Sequence, residues 1–399
     1  MRCPTTSCLL IKTFSQKSAD NYLSISTVRF GAGAASAAFV IELTLVPLFF
    51  PQMVKDFDLS AQQLSWVVQS YSFCVVVGVL LGGFIADRIS LKHVFISGVA
   101  MFGIGSWIVA AAHEFDAVIV GRVLQGLGGG IFSPLVPILL TRTDKVAPGR
   151  ALMLWGSVLG LIAAITPAVY SVVFREFGWS AAFSFFVLLA ATSIALIGWT
   201  KSSEEVVANR LALSKSVITS KNLFLMYGYV FCTYGAISYY LFRLPLLADQ
   251  QAIDLSKIGF LLSVFWLTFS VVGALLRRVV DTPHVKQVLL LAPVFIGLGC
   301  FALFSATGTP LMSLSAILLG VGLACSNAPS TQMILEFAPK QASGVSASLD
   351  ITFARLGTVT TVAFLAGASA FLSLAAIACL CGLAFLAILF VRQQAFPKQ

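Results

Sequence analysis

Five ionisable residues stand where charge is costly: Glu42, Arg122, Arg243, Asp350 and Arg355 each fall inside an apolar run long enough to cross a bilayer. Each costs roughly 2.5–3.5 kcal/mol at a helix centre in lipid, a cost met where charges pair or line a wet cavity. Glu42 lies about eight residues before the outer end of its run, and Arg122 about six after the outer start of its own. At about 1.5 Å per residue, both sit roughly 9–12 Å deep. Opposite charges at equal depth predict a partnership. A carboxylate so placed can take up and release a proton, because low dielectric favours its neutral form and a nearby guanidinium its ionised form. A static ion pair that only fixes two helices is the alternative.

Asp350 and Arg355 share one run, five residues apart. That spacing puts them about 140° apart on a helix, so each needs a partner on another helix or a ligand. Arg243 lies near the end of its run and can reach the headgroups. On the same run Tyr227, Phe231, Tyr234 and Ser238 form one helical stripe, with Tyr229, Thr233 and Tyr240 on a second. Buried tyrosine hydroxyls need polar partners. A cavity-lining role for Tyr227 and Tyr234 therefore stands beside plain packing. With Asp350 and Arg355 they are the candidate substrate contacts. Three arginines against two acids leave one positive charge over, which leans towards an anionic small molecule.

The elements that carry these residues follow from composition. Of 399 residues, 58% are hydrophobic and 10% charged, against roughly 25% charged in soluble domains. The bilayer must be the solvent, and runs of this length without alternation predict helices rather than strands. Spans are predicted near 30–51, 64–85, 93–112, 117–139, 151–174 and 180–199, then 222–247, 258–276, 287–306, 311–329, 343–366 and 369–391. With a cytoplasmic N-terminus, nineteen Lys and Arg fall on inner segments and three on outer loops, the bias that orients membrane proteins. Both termini are expected in the cytoplasm, in a bacterial inner (cell) membrane. The net charge of +9 is then an orientation signal, and no nucleic-acid partner is expected.

The two sets of spans read as six-helix bundles over 30–199 and 222–391, joined by a cytoplasmic linker at 200–221 and followed by a cytoplasmic tail at 392–399. Residues 1–29 read as a cytoplasmic extension, with a transit peptide or an over-long start as alternatives. An offset of 192 lays Gly128 on Gly320 and Pro137 on Pro329, and brings Asp87 close to Asp281, as a duplicated unit would. The eight cysteines form no CxxC and read as small core residues, so no metal is expected. His93, His113 and His284 sit at loop edges, and no GxSxG, HExxH or Walker A motif occurs. Neither an enzyme, nor a cofactor, nor ATP hydrolysis by this chain is expected.

Two stretches resemble signatures of the major facilitator superfamily. Gly82-Gly83-Phe84-Ile85-Ala86-Asp87-Arg88-Ile89-Ser90-Leu91-Lys92 is similar to its loop pattern GxxxDRxGRK, with Gly83, Asp87, Arg88 and Lys92 matching. Gly121-Arg122-Val123-Leu124-Gln125-Gly126-Leu127-Gly128-Gly129-Gly130 resembles its RxxQGxGxG element at Arg122, Gln125, Gly126 and Gly128. Ile41-Glu42-Leu43-Thr44 through Pro51, and Trp66 to Tyr71, are similar to the drug:proton antiporter branch, with Glu42 where that branch has aspartate. The antiporter pattern GxxxGPxxGG survives only as Gly160 and Pro167, which weakens the case for antiport and for drugs as substrate.

The resemblance implies an all-α integral membrane protein of twelve helices in two pseudo-symmetric six-helix bundles. It also implies a secondary active transporter working by alternating access, with protons and a small organic solute as partners and a monomer as the unit. Glu42 and Arg122 would couple the proton. Asp87 would latch the cytoplasmic end of the eleventh helix near Ala342-Ser343-Gly344. Proton-coupled efflux is the leading expectation. Proton-coupled uptake of a metabolite or organic anion is the rival within transport, and a transport-inactive membrane sensor the rival outside it.

Overall fold

The computed structural model describes residues 26–86, 89–143, 148–200, 220–276, 284–339 and 343–391. Asp87, Arg88 and Ala342, central to the expected latch, lie outside the described residues, as do the linker and both termini. Among the described residues there is no strand. Six helices form the first half: α1 (Ser26–Phe57), α2 (Ala61–Ala86), α3 (Leu91–Ala110), α4 (Phe115–Leu140), α5 (Pro148–Val173) and α6 (Gly178–Gly198). Six more form the second: α7 (Lys221–Gln250), α8 (Leu255–Leu276), α9 (Val285–Phe304), α10 (Thr309–Phe337), α11 (Ser343–Leu365) and α12 (Ala370–Phe390).

Every helix but α11 is apolar enough along its length to mark itself as a span. Its 23 residues reach about 35 Å at 1.5 Å per residue, enough to cross. Its polarity comes from Asp350, Arg355 and a run of Ser and Thr, which face protein rather than lipid. Two breaks have plain causes. In α1 a 3₁₀ turn spans Val46–Phe49 at Pro47, which has no N–H to continue the ladder. In α4 a turn at Ser133–Pro134 does the same.

Within the first half α4 packs on α2 and α3, and α3 on α6; within the second, α10 packs on α8 and α9, and α9 on α12. The halves meet through α2 against α11 and α5 against α8, with the ends of α1 on α7. Glycine contacts give the internal symmetry its register. A Cβ on Gly126 would strike the Tyr71 carbonyl, and one on Gly320 that of Phe265. Gly128 lies against Gly98 O and Phe102 N, Gly322 against Ala292 O and Ile296 N; Gly105 meets Gly121 O, and Gly299 meets Ser315 O. All of these pairs share an offset of 194. The expected repeat is present, but its offset of 192 is corrected. Gly128 corresponds to Gly322 and not to Gly320, because backbone approach between helices, rather than letter identity, defines equivalence.

The halves are drawn together at the face where α1 leads into α2 and α7 into α8. Lys55 Nζ lies 2.9 Å from Asp249 Oδ1, and Arg175 Nη1 4.0 Å from Asp254 Oδ1. Gln62 Nε2 donates to Ala363 O at 3.1 Å, and Phe50 packs on Phe242 with centroids 5.6 Å apart. The Ser256 hydroxyl and N–H hold the Asp254 carboxyl below the usual carboxylate range, with Arg175 a lesser cause. Exposed pairs contribute about 0.2–1 kcal/mol. Losing the Lys55–Asp249 attraction should therefore shift the closed-to-open ratio about 1.4- to fivefold. We expect Lys55→Glu to speed labelling of a cysteine at Ser238 by an impermeant maleimide from this face, and Lys55→Glu with Asp249→Lys to restore the slow rate. Equal rates in all three would mean the pair does not hold the face shut.

Candidate functional site

Beneath that closed face lies a cavity of about 60 Å³ between the halves, walled by α1, α2, α4, α7 and α11. That is well below the roughly 300–1,000 Å³ of small-ligand sites. Glu42 and Arg122 stand on its first-half wall, and Arg355, Ser238 and Thr358 on the other. An apolar groove between α1, α5 and α6 is also present, but it opens beside exposed Phe174, Phe177 and Phe185 on the lipid-facing surface and carries no charged group.

Arg122 Nη1 is 2.5 Å from Glu42 Oε1, with both side chains almost wholly buried (2% and 1% exposed). The same Nη1 donates to Gln125 Oε1 at 2.6 Å, and Nε donates to the Val67 carbonyl at 3.1 Å. Gln125 Nε2 donates in turn to Ser106 Oγ at 2.8 Å. One guanidinium thus ties α4 to α1 and α2, and through Gln125 to α3. The glycines of the motif let the helices come close enough for this: Gly126 admits α2 and Gly128 admits α3. Arg122 also lies over the Tyr71 ring, 4.1 Å from its centroid.

Among the described residues, Glu42 Oε2 has no well-formed hydrogen bond, and neither has the buried Tyr71 hydroxyl, which lies beside the same carboxylate. The Arg355 guanidinium also lies over the Tyr71 ring, 6.0 Å from its centroid. No acidic side chain pairs with Arg355 among the described residues. Tyr71 is thus shared by the arginines of both halves. In the sequence Tyr71 stood only as the last residue of the antiporter-like stretch from Trp66, with no role of its own; Ser106 and the Val67 carbonyl left no signal at all.

The other candidates are placed away from this cavity. Asp350 is buried in the second half, accepting from Thr331 Oγ1 at 2.6 Å and pairing with no cation among the described residues. Tyr234 donates to Asn327 Oδ1 at 2.9 Å, while Tyr227 stacks on Phe353 with centroids 5.1 Å apart and its hydroxyl unbonded. Of the stripe on α7, Ser238 is the member that reaches the cavity, bonded to Thr358 at 2.7 Å. Arg243 lies 5.8 Å from the Phe304 ring. Gly83 is in the last turn of α2. Lys92 caps the end of α6, its Nζ donating to Gly198 O at 2.9 Å and Thr200 O at 2.5 Å, as a cation at a helix C-terminus should. Lys286, 194 residues on, does the same at the end of α12.

A membrane-spanning chain of two symmetric halves, with a polar cavity between them closed at one face, is built as a transporter. The sequence profile of the Major Facilitator Superfamily matches residues 30–362 and 230–398. The chain belongs to that superfamily; it is a multi-pass transporter and not an enzyme. Among curated relatives, the methylenomycin A resistance protein of Bacillus subtilis (strain 168) is 29% identical over 156 residues, 39% of this chain and 34% of that protein. The tetracenomycin C resistance and export protein of Streptomyces glaucescens is 24% identical over 384 residues, 79% of this chain and 71% of that one. The multidrug efflux pump SdrM of Staphylococcus aureus (strain N315) is 26% identical over 227 residues, 56% of this chain and 47% of that one. The chain thus spans about a third of the methylenomycin protein and under half of SdrM. Among solved structures, a POT peptide transporter in complex with alafosfalin superposes with TM-score 0.74 at 14% identity, over 92% of this chain and 93% of that one. The nucleoside transporter NupG superposes with TM-score 0.73 at 13% identity, over 92% and 98%. These likenesses are of fold.

Proposed function

We propose that this transporter exports a small organic solute in exchange for protons, with Glu42 as the proton carrier and Arg122 as the group that tunes it. The observation that carries the reading is the free Oε2 of Glu42 at the cavity wall. The ion pair occupies one carboxylate oxygen and leaves the other for a proton. When the cavity is wet, the ionised pair is favoured; when the cavity dries around its cargo, the neutral carboxyl is. The resistance and export relatives support the outward direction. The Lys and Arg bias supports cytoplasmic termini, which makes the closed face the outer one and the state inward-facing, in a bacterial cell membrane. Both walls of the cavity come from one chain, which supports a monomer as the working unit.

A specific observation supports a second reading. The unpaired Arg355 at the cavity suits a carboxylate or other anionic group. An anion held there is repelled by ionised Glu42, so it and the proton would bind together, as in uptake of an organic anion by symport. Proteoliposomes containing a trapped pH dye, screened with drugs and organic acids under an imposed gradient, separate the two. Antiport predicts that solute and protons move in opposite directions, and symport that they move together. Solute flux indifferent to the gradient would remove proton coupling.

A further inference from the structure

We propose that Asp350 is a second proton-binding carboxylate, held in the half of the molecule that Glu42 does not serve. The inference deepens the proton-coupled reading and rests on it. Asp350 is 7% exposed, two turns into the membrane helix α11. Among the described residues, its one hydrogen bond comes from the neutral Thr331 hydroxyl. An ionised carboxylate in such surroundings, with no cation beside it, carries a desolvation cost of several kcal/mol that nothing offsets. Glu42 solves the same problem with Arg122; Asp350 has no such solution, and a bound proton supplies one.

The groups around it agree. From α7 it is faced by Tyr227 and Tyr234, from α10 by Thr331 and, through Tyr234, Asn327. α2 carries no charged residue along its length; its titratable side chains are Tyr71, beside Arg355, and Cys74. On α11 itself Arg355 makes no ion pair with Asp350 and turns to the cavity. Two buried hydroxyls near the carboxyl, those of Tyr227 and Ser346, lie close to each other. They are groups able to pass a proton to or from Asp350 once water enters.

The two carboxylates are not copies of each other. The offset of 194 lays Asp350 on Gly156 and Glu42 on Ala236. The scaffold repeats and the acids do not, so each half carries its own titratable group in its own setting.

The test needs no transported solute. Infrared difference spectra of the full chain in lipid, recorded while the medium is taken from acid to alkaline, read the C=O band of protonated carboxyls. At neutral pH the wild-type protein should show such a band, Glu42→Gln should retain it, and Asp350→Asn should lose it. Thr331→Val, which keeps the acid and removes its donor, should move the band to higher frequency. A band that persists in Asp350→Asn, or is unmoved in Thr331→Val, overturns the proposal, and the second variant decides if the first does not fold. Loss of the band when sodium replaces N-methylglucamine would give the site to a metal cation and overturn it too. Failure of the Glu42 reading looks different: Glu42→Gln would then titrate as the wild-type protein does.

Discussion

Glu42→Gln is expected to yield a folded carrier that no longer follows the pH gradient. Glutamine keeps an oxygen to accept from Arg122 and keeps the volume of the side chain, so the four-helix tie through Val67 and Gln125 should survive. What it removes is the second carboxylate oxygen, free at the cavity wall, and with it the proton. A gradient of one pH unit is worth about 1.4 kcal/mol per proton, a roughly tenfold accumulation ratio. In proteoliposomes that ratio should fall to about one in the variant, while downhill exchange of solute continues. If Glu42→Gln accumulated solute as the wild-type protein does, the proton would pass to Asp350, or coupling would be abandoned.

Arg122→Ala is expected to do wider damage. It strands an ionised Glu42 in a dry site, which costs about 3–5 kcal/mol where a buried pair is broken from one side. It also frees the Val67 carbonyl and Gln125 Oε1 and takes the cation off the Tyr71 ring. Both gradient-driven transport and exchange should fail, and thermal unfolding should come markedly earlier. Adding Glu42→Gln to Arg122→Ala should recover a large part of the lost stability, since the orphaned charge is then gone. A double variant no more stable than the single one would mean that the loss came from packing around the guanidinium and not from the unpaired carboxylate.

Much of this molecule was determined by the sequence alone. Twelve spans follow from the length of the apolar runs, because a bilayer admits only backbone that satisfies its own hydrogen bonds. α11 was read as a span over 343–366, although it is too polar to mark itself as one. Glu42 could be set against Arg122 because helix rise converts position into depth and only opposite charges are tolerated at equal depth. The motif glycines were legible as letters, and their partners were not. Only the folded chain shows that Gly126 admits Tyr71 and Gly128 admits Phe102, which moves the repeat to 194. The tertiary structure alone also decided which polar residues share the cavity. Tyr227, Tyr234 and Asp350 were grouped with Arg355 by sequence, yet only Arg355 lines the same wall as Thr358, facing Glu42 across the gap. Depth along a helix is a property of its own residues. The direction a side chain faces depends on how far each helix is rotated against its neighbours, and that is settled by packing between segments far apart in the chain, such as α4 against α2 and α11 against α7.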